Sequence, residues 1–482
     1  MRLTPFAAAA LLAALAGCAS APPVSTPAPS STQLEARAKN VIFFLGDGMG
    51  INTLTAARIY AVGEDGELTI DTLPKSAFVK TYSNDAQVTD SAASMSAYMT
   101  GVKQNNGVIS MSSDTRSIAP AADANGNRLV SRCENGTAVP TLAELAKRRG
   151  LAAGVVTTTS VTDATPAATY AHACTRRLET DIAAAMVPGG AGYNGALGAT
   201  GLDVVFGGGA QNFLPVAKGG KRADGRDLLA ELAARGYRVA ADSAQFNALQ
   251  VNPSQPAIGL FAPNHLSFDA ERDPARQPAL ADMTRKAIGI LSKNPNGFFL
   301  MVEGGLIDHA LHATRAKRAL QEAVTYNAAL KAAIDAMQVI DPGLKNTLIV
   351  ATADHDHTLL LNGYSPRTGK TTPTNPGVLG LVRHRYTGKP MLDKDGAPYT
   401  IIGFGTGENR VGGSRAQQPE LTDAIVSGDD YHQEATIRVG KGRETHGGAD
   451  VYLGAIGAGA ETFRGTIDNT RVFSLIKAAA GW

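Results

Sequence analysis

Short apolar runs that end in a carboxylate recur along this chain, and they constrain the fold more than any other feature. Val41-Ile-Phe-Phe-Leu45 leads to Asp47, Phe298-Phe-Leu-Met-Val302 to Glu303, and Thr347–Thr352 to Asp354 and His355. Ala153–Thr158, Asp203–Phe206 and Val451–Ile456 read as further strands. Between them fall helical stretches at Pro140–Arg149, Asp227–Arg235, Ala281–Ser292 and Arg315–Met337, the first with Pro near its opening turn and Gly150 as its stop. This alternation predicts an α/β fold: a three-layer α/β/α sandwich around a large, mainly parallel central sheet. Ligands of open α/β sheets bind beyond the carboxyl ends of the strands, and that is where the polar residues fall. From about 364 to 441 the alternation stops in favour of Gly, Pro, Thr and charged residues, which predicts a loop-rich, crown-like insertion over the site.

The segment Met301–His312 packs two carboxylates and two imidazoles behind one such run. With a helix beginning near Leu306, Asp308 and His312 stand one turn apart on one face, where a single divalent ion can take both. Glu303 lies off that face and suits a different ion or a supporting role. Gly46-Asp47-Gly48-Met49-Gly50 lacks the full dinucleotide fingerprint, which argues against a nucleotide cofactor. Thr89-Asp90-Ser91-Ala92-Ala93 puts a serine at a helix start, where backbone N–H groups favour an anion, although an Asp-Ser pair there is equally an ordinary cap. Neither a Gly-x-Ser-x-Gly elbow nor a Cys-x-Pro-x-Arg motif is present, so Ser91 as a nucleophile would need a metal to activate it.

Charge excludes one class of partner. With 45 basic and 43 acidic side chains in 482 residues, the net of +2 offers no surface for nucleic acid. Residues 1–18 form a leader: Arg2, an apolar core from Phe6 to Leu15, and Leu15-Ala16-Gly17-Cys18 in the manner of a bacterial lipoprotein cleavage box. Residues 19–37, rich in Pro, Ser and Ala, read as a flexible tether to one catalytic domain over 38–482. The expected location is the bacterial cell envelope, lipid-anchored through Cys18, periplasmic or at the outer membrane, with membrane contact through that anchor alone. Simple secretion is the alternative. Cys133 and Cys174 then remain in an oxidising compartment, as one disulfide or as two buried thiols. An antiparallel helix 140–149 and strand 153–158 would bring their outer ends together, so a pair is expected.

Taken in order, the motifs Gly46–Gly50, Thr89–Ala93, Asp163-Ala164-Thr165-Pro166-Ala167, Glu303–His312, Thr352-Ala353-Asp354-His355 and Glu444-Thr445-His446 make the chain from about Asn40 to Gly457 closely resemble the alkaline phosphatase family. The resemblance implies a phosphomonoesterase with two Zn²⁺ and one Mg²⁺ per chain. It implies Asp308, His312 and His446 as ligands of the first zinc; Asp47, Asp354, His355 and Ser91 as those of the second; and Glu303, Thr165 and the far side of Asp47 around magnesium. Asp163 and His309 would tune that corner, His309 standing where some relatives carry lysine. Arg176, four residues after His172 as in the family's pattern, would grip phosphate, with Arg177 as its nearest decoy. Ser91 would form a phosphoseryl enzyme that water then hydrolyses, on small phosphate monoesters of many kinds. His357 reads as a neighbour of the ligands, and His265, His384 and His432 as surface or structural residues. A poor match after Gly457 leaves a homodimer open. A phosphodiesterase or sulfatase of the same superfamily is the alternative function, and a catalytically silent metal- or phosphate-binding lipoprotein the alternative class.

Overall fold

The computed structural model describes residues 37–118, 132–250 and 255–482. The leader, Cys18 and all but the last residue of the expected tether lie outside the described residues. Among the described residues no helix is long and apolar enough to cross a membrane.

Among the described residues ten strands form one sheet: β1 (Asn40–Gly46), β2 (Lys75–Lys80), β3 (Ala152–Ser160), β4 (Val204–Gly208), β5 (Arg238–Ala240), β6 (Ala257–Leu260), β7 (Phe298–Gly304), β8 (Thr347–Ala353), β9 (Val451–Gly457) and β10 (Gly465–Asp468). Their order across the sheet is β10-β2-β9-β8-β1-β7-β3-β4-β6-β5. Only β9 runs against its neighbours, so the expected mainly parallel sheet is what forms. The four central strands β8, β1, β7 and β3 are buried along their length, save Asn40 at the start of β1, which is why their sequences read as near-continuous apolar runs instead of alternating ones. Register aligns Leu45 with Glu303 and Glu303 with Thr157, while Gly46 stands beside both Gly304 and Ala353. Four carboxyl ends therefore open at one level.

Two groups of helices cover the faces. Helices α1 (Ile51–Val62), α4 (Leu280–Leu291) and α6 (Ala316–Ile340) pack together on one side, the short α5 (Leu306–His312) leading into α6. On the other lie α2 (Ser91–Thr100), α3 (Leu142–Arg148) and α7 (Asn469–Ala480). In α4 the buried Leu280, Met283, Ala287, Ile288 and Leu291 follow helical spacing, so one stripe meets the sheet. Helix α3 starts later than Pro140: Thr141 caps it, its hydroxyl accepting from Glu144 N while the Glu144 carboxylate accepts from Thr141 N. That reciprocal cap puts Pro140 outside the helix, where its missing N–H costs nothing.

The insertion is built on a small sheet of Leu359–Leu361, Ile402–Gly407 and Ala435–Arg438. It thus begins a few residues before the expected 364. Salt bridges from the start of α6 and the residue before it fasten it to the body, Lys317 to Asp429 at 2.7 Å and Arg315 to Asp430 at 2.9 Å. A two-residue pairing of Asp356–His357 with His446–Gly447 brings the returning chain down to the ends of the central strands.

Candidate active site

Asp47 leaves β1 and the helix of Ser91 points at it. Asp90 caps α2 by accepting from Ala93 N at 3.0 Å, which sets Ser91 as the first helical residue. Helix α2 is buried throughout and fixed to the end of β8, with Ser94 Oγ donating to Asp354 O and Tyr98 Oη to Ala353 O. Ser91 Oγ comes to 3.3 Å from Asp47 Oδ1 and 3.1 Å from His355 Nε2. Gly48, with φ +67°, turns the chain so that its N–H reaches Asp354 Oδ1 at 2.9 Å. A side chain at 48 would collide with the His357 ring.

Asp47, Asp354 and His355 offer ligand atoms within one small volume, all three buried. Asp354 Oδ2 has no hydrogen-bond partner among the described residues. Burial and the charge of Asp47 push the Asp354 carboxyl well above the usual range, because two carboxylates cannot stay ionised side by side without a cation. Burial opposes a charge on His355, yet Asp354 and Asp47 outweigh it and raise the imidazole to about 9. Glu303 repeats the theme. One of its oxygens accepts from Thr157 and Thr159, Oε1 is unpartnered among the described residues, and burial followed by Asp47 drives its pKa well up. Thr165 Oγ1 approaches the outer oxygen of Asp47 at 3.2 Å, completing an oxygen-only corner.

The second cluster gathers Asp308, His312, His357 and His446. His312 donates from Nδ1 to Glu444 O at 2.5 Å, and His446 from Nδ1 to Thr89 O at 2.8 Å. Each ring therefore keeps its proton on Nδ1 and presents a lone pair at Nε2. Those two Nε2 atoms lie 3.2 Å apart, and Asp308 Oδ1 is 3.3 Å and 3.6 Å from them. Two lone pairs and a carboxylate converging at that distance fit a bound cation, with each histidine oriented through its other nitrogen as metal ligands are. His357 is different. Its Nε2 meets Asp308 Oδ1 at 2.7 Å and its Nδ1 meets the Glu444 carboxylate, so both nitrogens face acceptors and both donate. Burial opposes that charge, and Glu444 and Asp308 outweigh it, raising His357 to about 10. It serves as a charge partner of Asp308 rather than as a fourth ligand.

Arg176 closes the site from the other side. Its guanidinium is held by Asp90 Oδ2 at 3.3 Å and Asp163 Oδ1 at 3.0 Å and remains about one-third exposed, at 32%. Arg177 makes no such contact; its backbone N–H bonds Thr175. Cys133 and Cys174 form a disulfide with Cα atoms 5.4 Å apart, two residues before Arg176.

His265, read in the sequence as surface or structural, stands beside this corner of the site. It reaches within 3.8 Å of Asp163, which His309 approaches at 3.9 Å, and the two rings meet edge to face. Its Nδ1 accepts from Ser160 N at 3.1 Å, and burial lowers it to about 4, so the ring is neutral. That lone pair is already committed to the backbone, which disfavours His265 as a ligand. His432 is structural as expected, bonding Ala313 O, and His384 sits in an exposed loop. The signal for His265 was absent from its neighbours in sequence: no polar motif surrounds it.

The alkaline phosphatase family model matches residues 38–482. The chain belongs to the alkaline phosphatase family. Human tissue-nonspecific alkaline phosphatase is 35% identical over 474 residues, covering 92% of this chain and 84% of the relative. An alkaline phosphatase of Gadus morhua is 36% identical over 460 residues, covering 89% of each. Among solved structures, that of Thermus thermophilus alkaline phosphatase superposes with a TM-score of 0.65 at 25% identity, covering 92% of both chains. The alkaline phosphatase from the Antarctic bacterium TAB5 gives 0.62 at 23% identity, with 93% and 99% covered, which supports the fold. As an alkaline phosphatase the chain is a metal-dependent hydrolase of phosphate monoesters.

Proposed function

We propose that this alkaline phosphatase works through Ser91 as nucleophile, with Asp308, His312 and His446 holding one Zn²⁺ and Asp47, Asp354 and His355, together with Ser91, holding a second. Glu303, Thr165 and the outer oxygen of Asp47 would hold Mg²⁺. The observation that carries this reading is the pair of imidazole lone pairs 3.2 Å apart facing Asp308, an arrangement that repels itself unless a cation lies between. When bound, divalent cations supply the positive charge that eases deprotonation of a hydroxyl and stabilises a departing alkoxide.

The rest follows from the chain's own groups. Arg176 is positioned to bind two phosphate oxygens with its planar fork, and the amino end of α2 adds its dipole. Ser91 Oγ attacks phosphorus in line, the ester oxygen leaves opposite, and water then hydrolyses the phosphoseryl group with release of phosphate. Asp90 and Asp163 hold Arg176 so that little side-chain entropy remains to be lost on binding. No element of this constellation grips the alcohol, so monoesters of many alcohols are substrates under this reading.

We further propose envelope anchoring through Cys18, supported by the sequence of the leader. Hydrolysis of a nitrophenyl monoester against its diester, with metal analysis of the same preparation, tests the catalytic reading. Preference for the diester, or full activity after thorough metal removal, would overturn it.

A further inference from the structure

The segment that carries Arg176 is braced by a pair of groups outside the chemistry described above, Glu144 buried and the His172 side chain 14% exposed. His172, four residues earlier, has Nδ1 at 2.7 Å from Ser110 O and Nε2 at 2.6 Å from Glu144 Oε1. A carbonyl and a carboxylate only accept, so both ring nitrogens carry protons and the ring is an imidazolium. Burial opposes the charge on His172, but the hydrogen bond and charge of Glu144 outweigh it and raise its pKa. Burial likewise works against the Glu144 carboxylate, and His172 outweighs it. Glu144 is 1% exposed and also accepts from Asn194 Nδ2, which reaches on to Tyr170 O.

Ser110 is where this pair meets the active site. It is fully buried with φ +47°, a conformation that persists in a non-glycine residue only where its surroundings impose it. Its N–H bonds Ser96 Oγ on the helix of Ser91, and its carbonyl accepts from Val139 N as well as from His172. Next to it, Ile109 and Ala173 exchange both backbone hydrogen bonds, and Arg176 N donates to Gly107 O at 2.8 Å. Gly107 N in turn donates to Asp90 Oδ2, the oxygen that holds Arg176 Nη1. A short two-stranded ladder thus runs from the ion pair to the guanidinium.

We propose that His172 and Glu144 are positioning residues for Arg176, their ion pair clamping Ser110 so that segments 107–110 and 172–176 stay in the register that aims the guanidinium at phosphate. The helix cap alone does not explain them. A cap at Thr141 needs a neutral acceptor at 144, which glutamine supplies, whereas the half-buried imidazolium needs a carboxylate. This inference rests on the reading of Arg176 as the phosphate-binding group.

A double-mutant cycle on the metal-loaded enzyme separates the two. The constant for inhibition by inorganic phosphate is measured for the parent, Glu144→Gln, Arg176→Ala and the double variant, with unfolding midpoint and zinc content alongside. Glu144→Gln is expected to raise that constant about fivefold, within the coupling range of residues in one hydrogen-bond network, and to have no further effect in the Arg176→Ala background. A purely structural role would lower the unfolding midpoint and leave the constant of the folded enzyme unchanged, which would overturn the proposal. So would additive effects in the double variant. If Arg176→Ala itself leaves phosphate inhibition unchanged, the Arg176 reading fails instead, and the proposal with it. Should Glu144→Gln not fold, His172→Gln takes its place with the same expectation. Proton NMR of the parent enzyme near neutral pH adds a check without mutation: two ring N–H signals from His172 support the ion pair, and a single one refutes it.

Discussion

His446 and His357 both reach Asp308 Oδ1, and the partners of their other nitrogens assign them different roles. His446 gives its Nδ1 proton to Thr89 O and keeps a lone pair for a metal, while His357 donates from both nitrogens. His446→Ala should therefore remove a zinc ligand, and His357→Asn only a support. Four-ligand structural zinc sites bind with about 10–16 kcal/mol, or about 3 kcal/mol per ligand, so His446→Ala should weaken zinc at this cluster by about 10²-fold. Loss of a group that orients a ligand costs about 10- to 100-fold, and the lower end is expected for His357→Asn, since Glu444 keeps the Thr358 N–H and hydroxyl as donors. Competition with a chromogenic chelator gives both affinities. Because the two ranges meet, the coordinating atoms need a direct probe: the visible absorption bands of the cobalt-substituted protein. They should shift in His446→Ala and stay in place in His357→Asn. A shift in the His357 variant with none in the His446 variant would refute the assignment from hydrogen-bond partners.

Three further expectations concern the nucleophile, the disulfide and the phosphate field. Ser91→Ala should lower monoester turnover by at least ~10³-fold with fold and zinc retained, and acid-stable phosphate should appear on Ser91 of the parent after quenching with substrate; full activity in the alanine variant would exclude it as nucleophile. Replacing Cys133 and Cys174 by serine frees a loop closed over a sequence separation of 41, for which chain entropy gives about 4 kcal/mol at most, read as a lower urea midpoint in non-reducing buffer; an unchanged midpoint would contradict it. His309→Lys puts a lasting cation near Asp163, with the present imidazole 3.9 Å from that carboxylate, and should tighten phosphate inhibition and lower kcat at alkaline pH; weaker inhibition would show that residue 309 does not set the field at phosphate.

The strands that build the site were legible because burial on both faces removes the alternation that usually blurs them. Asn40–Gly46, Phe298–Gly304 and Thr347–Ala353 sit within a residue or two of where their apolar runs place them, and the carboxylates after them follow. The start of α3 was misplaced for a local reason. Proline is welcome in a first helical turn, but the Thr141–Glu144 box one residue on is the stronger signal, since it satisfies two backbone donors at once. The insertion's edge was blurred because Leu359–Leu361 reads as a continuation of the ligand segment before it and finds its partner only at Ile402–Phe404, some forty residues later.

Roles within the site were less legible than membership of it, and the cause is the hydrogen bond at the far nitrogen of each histidine. Spacing in the sequence says which imidazoles can reach a common point. It does not say which nitrogen carries the proton, and that alone separates a ligand from a counter-charge. His312 and His446 are the proposed ligands because backbone carbonyls at 444 and 89 take their Nδ1 protons, one of them supplied by a segment 357 residues away. His357 stands two residues from His355 and is excluded by a carboxylate on the far side of its ring. His265 is excluded in the opposite sense, by a backbone N–H that occupies its lone pair. His172 belongs to the same accounting: acceptors on both sides make it a cation, and a cation held four residues before Arg176 has, as proposed, a mechanical use that its place in the sequence could not reveal.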